Sequence, residues 1–116
     1  MLLNEESGHE KLTGELLSNS VASTINLAEV QAKLITRGGA AGEAWEDAIS
    51  PVREIVPFTE EHAKVAGGLI PQTRRLGLSS GDRSCLALGI VLDGPIYTAE
   101  KAWRELKLSV RIHLIR

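Results

Sequence analysis

A chain of 116 residues with 13 lysines and arginines against 15 aspartates and glutamates, formal charge -2, has the size and balance of one ordinary domain. Such a length hides about two-thirds of the unfolded surface, so no disulfide or zinc staple is needed; the one cysteine, Cys85, cannot bridge internally, and with no charged-then-apolar leader at Met1 the expectation is a reducing cytoplasm. No apolar run is long enough to span a bilayer, aromatics at 3% are too few for a base-stacking surface, and the slight acidity argues against binding nucleic acid by bulk charge.

Helical and extended segments alternate along the chain, which is the α/β pattern. A first helix is expected over Ser7–Leu17, and Val21-Ala22-Ser23-Thr24 is a short β-leaning stretch. Ile25–Ile35 follows as a helix, capped by Thr24 or Asn26, with Leu27, Ala28, Val30, Leu34 and Ile35 on an apolar arc and Gly38-Gly39 at its end. A helix over Gly42–Ile49 stops at Pro51, and Glu54–Pro57 reads as a short edge strand. Thr59 caps a helix whose Glu60 and Glu61 suit the positive end of the dipole, with Gly67-Gly68 in its weak last turns and Pro71 beyond. A loop with Arg74, Arg75 and Gly77 then leads to Ser79-Ser80-Gly81, which open a helix from Asp82 to Leu92. After the turn Asp93-Gly94-Pro95 come a strand, Ile96–Thr98, a short helix, Ala99–Leu106, and a closing strand, Val110–Leu114. No repeat, low-complexity tract or linker divides the chain, so residues 1–116 form a single domain.

Three acids stand apart from the solvated ones. Glu29 borders the packed arc of a helix fed by a strand, Asp82 opens the helix carrying Cys85, Leu86 and Gly89, and Glu100 lies just after the strand Ile96–Thr98. In open α/β sheets, ligands bind beyond the carboxyl ends of the strands, where helices start, so the three could converge. Each alone is equally explained by its favourable place near a helix start. Convergence would raise some of their pKa values unless a cation is shared, and oxygen-only ligands point to Mg2+ or Mn2+, which can activate water for phosphodiester hydrolysis.

Three blocks become specific in wording: Ser23-Thr24-Ile25-Asn26-Leu27-Ala28-Glu29-Val30, then Thr73-Arg74-Arg75-Leu76-Gly77-Leu78-Ser79-Ser80-Gly81-Asp82-Arg83-Ser84-Cys85-Leu86-Ala87-Leu88, then Tyr97-Thr98-Ala99-Glu100-Lys101-Ala102-Trp103. In order and spacing they resemble the PIN-domain family, closest to the VapC-type toxins of bacterial toxin–antitoxin pairs, over nearly the whole chain. The resemblance implies a three-layer α/β sandwich with a mostly parallel central sheet flanked by helices. It also implies a cytoplasmic endoribonuclease whose acidic cluster holds Mg2+ or Mn2+. By that resemblance Glu29, Asp82 and Glu100 are the catalytic and metal-holding acids, and Thr98 and Ser80 are supporting hydroxyls. A VapB-like antitoxin, a homodimer and an RNA substrate follow as expected partners.

Two departures accompany the resemblance. Glu100 stands where the family usually has aspartate, one methylene shorter. At the front, the family begins with a hydrophobic strand ending in its first metal-binding aspartate, and Met1 here reads as starting inside the helix beyond it. The expected domain is therefore N-terminally truncated by one central strand, and a start codon called too late is the preferred explanation. Unpaired backbone groups at about 1–3 kcal/mol each would then make the chain poorly stable, and the missing acid would make it a poor nuclease.

Arg74, Arg75, Arg83, Lys101 and Arg104 flank the acidic blocks and could hold RNA phosphates. His9, His62 and His113 have no metal-ligand spacing and read as surface or strand positions. Cys85 reads as a buried small thiol, and the Gly-Gly pairs lack the Lys-Ser/Thr of a nucleotide loop. The second reading is a PIN-fold module with impaired catalysis that only binds antitoxin or another protein.

Overall fold

The computed structural model describes residues 2–3, 20–98 and 101–114. Five short strands, β1 (Leu2–Leu3), β2 (Val21–Ser23), β3 (Glu54–Val56), β4 (Ile96–Thr98) and β5 (Ile112–Leu114), pair in the order β3-β2-β1-β4-β5, and every pairing is parallel. Parallel neighbours cannot be joined by a tight hairpin, so each crossover must carry a helix across a face of the sheet. That demand explains the alternation seen in the sequence. The expected edge strand around Ile55 takes the outer position at β3, where Glu54 and Ile55 are exposed and Pro57 follows.

The centre of the sheet differs from expectation. The place anticipated as vacant is held by Leu2–Leu3, with Leu2 opposite both Val21 and Ile96, and Leu3 opposite Tyr97. A gap there would strand the facing backbone donors and acceptors of β2 and β4, and the two leucines pair part of each edge. The helix expected over Ser7–Leu17 lies outside the described residues, as does Glu100.

Helix α1 (Thr24–Thr36) is capped by neither expected residue. Ser23 does it, its Oγ accepting from the Ile25 N–H at 3.2 Å. This frees Thr24 to accept from the Phe58 N–H at 3.0 Å and frees Asn26 for a contact described below. The helix ends at Arg37, and Gly38 follows at φ 102°, a conformation that side chains resist. Helix α2 (Ala41–Ile49) stops ahead of Pro51.

Helix α3 (Glu60–Gly68) begins with a capping box: Thr59 Oγ1 accepts from the His62 N–H, and the Thr59 N–H donates to His62 Nδ1, both at 3.3 Å. His62 is thereby buried to 5% exposure, edge-on to Phe58, rather than at the surface as expected. Pro71 does not end the helical path. It sits in the first turn of α4 (Ile70–Thr73), where its missing N–H costs nothing, and a 3-10 turn Arg74–Leu76 continues to Gly77.

Helix α5 (Ser80–Leu92) opens on a second capping box, formed by Ser79 and Asp82, and ends at Asp93 in the left-handed conformation. The helix expected after β4 is a 3-10 turn, Lys101–Glu105, anchored by buried Trp103. The last strand is shorter than expected, starting at Ile112, with Val110 packed against the core ahead of it.

Adjacent residues on β2 point to opposite faces and found two cores. Val21 joins Leu69, Cys85, Leu86, Leu88, Ile96 and Trp103, whereas Ala22 joins Leu27 and Ala48 beneath Val30, Trp45, Ile49 and Val52. The sheet is thus the middle of three layers. Cys85 is buried as expected.

Helix α5 comes close to the sheet at Gly89, where an added Cβ would stand 2.6 Å from Ile96 Cδ1 and 3.0 Å from Val110 Cγ2. Ile96 is fully buried and has nowhere to retreat. Gly89→Ala gains about 1 kcal/mol of helix propensity and loses about 1–3 kcal/mol to overpacking. A lower urea midpoint at unchanged slope is expected, and an equal or higher midpoint would contradict this packing.

Candidate active site at the carboxyl end of the sheet

Because β2 runs straight into α1, the first turns of α1 lie at the carboxyl end of the sheet, the usual ligand end of such folds. Asn26 and Glu29, three residues apart on that helix, share a face. The Asn26 Nδ2 donates to Glu29 Oε1 at 3.3 Å and across to the Gly81 carbonyl of α5 at 3.0 Å.

Gly81 completes the arrangement. The half-buried Glu29 carboxylate lies so close to its Cα that any Cβ there would overlap both carboxylate oxygens. An anionic group is thus seated in the first turn of α5, where unpaired backbone N–H groups and the helix dipole favour it. Only glycine leaves the notch open.

Asp82 is the next residue along. Its Oδ2 accepts from the Ser79 N–H at 3.1 Å, while its own N–H donates to Ser79 Oγ at 3.1 Å. The cap therefore fixes the direction of the Asp82 carboxylate. Ser79, not Ser80, is the capping hydroxyl; Ser80 is exposed at the helix start, and its carbonyl accepts from Ser84 Oγ at 2.8 Å. Thr98 is fully buried at the end of β4, opposite Leu114 of β5.

Of the three expected acids, Glu29 lies against Gly81 and Asp82 is the next residue of α5, its carboxylate held by Ser79, and Glu100 lies outside the described residues. The donors are oxygen atoms, the kind Mg2+ and Mn2+ prefer. Among the described residues no three of His, Cys, Asp and Glu gather as a closed cage. The pair suits an ion that keeps several waters and is held by one or two carboxylates together with substrate phosphates, as Mg2+ commonly is.

Charge is distributed unevenly. Residues 74–116 carry eight basic and four acidic side chains, against five and 11 in residues 1–73. Arg74, Arg75, Lys101, Arg104, Lys107 and Arg111 are exposed. Arg75 Nη1 meets Glu105 Oε1 at 3.3 Å, which ties the two 3-10 turns together. Arg83 does not match its expected place on this rim. It is half-buried and donates Nη1–H to the Leu78 carbonyl at 3.1 Å, with Nε buried and no hydrogen-bond partner among the described residues. The sequence reading passed over Lys107 and Arg111, and took Asn26 only as a cap; its spacing of three from Glu29 was the available signal.

No protein-family model matches the chain, and no curated protein matches it. Solved structures do. A chain of VapBC2 from Rickettsia felis, crystallised with a DNA fragment from its promoter, is 16% identical, with a TM-score of 0.69 over 100% of both chains. FitAcB from Neisseria gonorrhoeae is similar at 15% identity and a TM-score of 0.61, over 97% of this chain and 96% of that one. VapBC-5 from Mycobacterium tuberculosis, of the VapBC family of toxin–antitoxin systems, matches at 15% identity and 0.60, over 99% and 96%. At such identities the likeness is one of fold, and the fold is the PIN-like three-layer arrangement around a parallel sheet.

Gly81→Ala separates seating from stability. The new methyl group must push the Glu29 carboxylate, the far end of a flexible side chain, out to solvent. Because alanine suits a helix better than glycine by up to about 1 kcal/mol, the variant should melt at or slightly above the parent temperature. The backbone amide resonances of Asp82 and Arg83 should nevertheless shift as the carboxylate leaves the turn. A melting temperature lowered by several degrees would show that the notch serves packing instead.

Proposed function

We propose that this chain is a divalent-metal-dependent endoribonuclease, the toxin of a toxin–antitoxin pair. The observation that carries this reading is the seating of Glu29 on the start of α5 beside Asp82, at the carboxyl end of a parallel sheet. The VapBC-like fold supports it. Glu29 and Asp82 would hold Mg2+ or Mn2+, with Glu100 as a third acid by resemblance. Bound there, the ion would supply charge neutralisation at a phosphate and a lowered pKa for attacking water.

The chain's own residues do the rest. The capping box holds Asp82 in one direction, and Asn26 and the Gly81 notch hold Glu29. Exposed Arg74 and Lys101 offer cations to flanking phosphates, which positions RNA without reading its bases. A near-neutral chain can thus meet nucleic acid locally. A VapB-like antitoxin and a second copy of the chain are the protein partners in this reading.

A second reading is favoured by one observation: Asn4, not an acid, follows β1 in the sequence. The chain would then keep the fold and an antitoxin-binding surface without catalysis.

Cleavage of single-stranded RNA in Mg2+ or Mn2+, abolished by EDTA, is the deciding assay. Glu29→Gln, uncharged and isosteric, should lower kcat at least ~100-fold, the upper end of what outer-shell partners of a metal cost. Undiminished cleavage by that variant would refute the role of Glu29, and no cleavage by the parent would favour the binding module. Removing Arg74 and Lys101 together should raise KM with kcat kept, and should flatten the dependence of log affinity on log salt by about 0.7 per lost phosphate contact.

A further inference from the structure

We infer that Asn26 is the positioning residue of this site: its side-chain amide pins the Glu29 carboxylate in the Gly81 notch and, by the same group, docks α1 onto the first turn of α5. The inference deepens the proposed function and rests on it for what the carboxylate does, though not for how it is held.

The amide Nδ2 has two hydrogens, and both acceptors within reach are accounted for: Glu29 Oε1 at 3.3 Å and the Gly81 carbonyl at 3.0 Å, 55 residues away along the chain. No other standard side chain of that length offers two donors from one atom without a charge. Leucine has the shape and no donors, aspartate would accept where donation is required, and a hydroxyl gives one hydrogen. The second bond matters because the Gly81 carbonyl belongs to the turn that forms the notch. A shift of α5 away from α1 would therefore break this bond and open the notch, while the Asn26–Glu29 bond, internal to α1, would persist. Asn26 is free for this duty because Ser23 has taken over the helix cap. The amide acts through Glu29.

The test has a metal-free arm and a metal arm. In the parent protein, Glu29→Gln should shift the backbone amide resonances of Gly81 and Asp82, since the carboxylate sits on that turn. In an Asn26→Leu background the same Glu29→Gln change should leave them almost still, because the carboxylate has already left. Equal shifts in both backgrounds overturn the inference. In the second arm, Mn2+ alone is titrated into the full chain, and Asn26→Leu should weaken it about 10–100-fold. RNA cleavage should lose kcat with KM kept. Parent protein that shows the amide coupling yet binds no Mn2+ would overturn the metal reading and leave the positioning role standing. Mn2+ affinity unchanged by Asn26→Leu would overturn the positioning role. Should Asn26→Leu fail to fold, Asn26→Thr, with one donor in place of two, carries the same comparison at intermediate size.

Discussion

Helix α5 is the member on which the structure depends. Seven of its residues, Gly81, Ser84, Cys85, Leu86, Ala87, Leu88 and Gly89, are buried, so the helix is covered on nearly every side. A helix in that position must be contacted by the sheet, by α1 and by α3 at once, and its neighbours can approach only as closely as its side chains allow. Two glycines set those distances. Gly89 admits Ile96 and brings α5 down on β4; Gly81 admits a carboxylate and brings α1 to its first turn. The first contact is apolar and stabilises the fold. The second is polar and builds the site.

The site therefore costs the fold little. Glu29 is half-buried, with an amide hydrogen bond and a helix start to offset its desolvation, and Asp82 is satisfied by a cap that α5 would need in any case. Function is drawn from groups already occupied in holding helix ends. Such economy suits a chain of 116 residues, which has few to spare for a shell of dedicated supporting side chains.

How much of this was legible in the sequence varies with the range of the interaction. Alternation of β-leaning and amphipathic segments sufficed for the α/β class, and the turn residues Gly38, Pro51 and Asp93-Gly94-Pro95 marked where elements end, because those are local effects. Caps were read less well. Thr24 and Asn26 are good capping residues, but each is claimed by a group far along the chain, at Phe58 and Gly81, and no local rule reveals such competition. Buried His62 was missed for a similar reason, since a histidine in place of the usual glutamate or glutamine at the third helical position is a rare form of the box. The central strand was misjudged because two leucines fall below the length at which alternation can be seen at all. For the acids, the places of Glu29 and Asp82 near the starts of α1 and α5 were legible from where strands hand over to helices, whereas the notch that seats Glu29 depends on an atom glycine lacks.

The capping box at Ser79 and Asp82 carries one more consequence. An aspartate that closes a helix cap is oriented only while that cap is closed, and the ends of helices fray faster than their middles. Each time the first turn of α5 opens, the Asp82 carboxylate loses its direction and the seat of Glu29 loses one wall. The lifetime of the assembled site is then the closed time of a single helical turn, and hydrogen exchange at the amides of Asp82 and Arg83, both bonded to Ser79, is its clock.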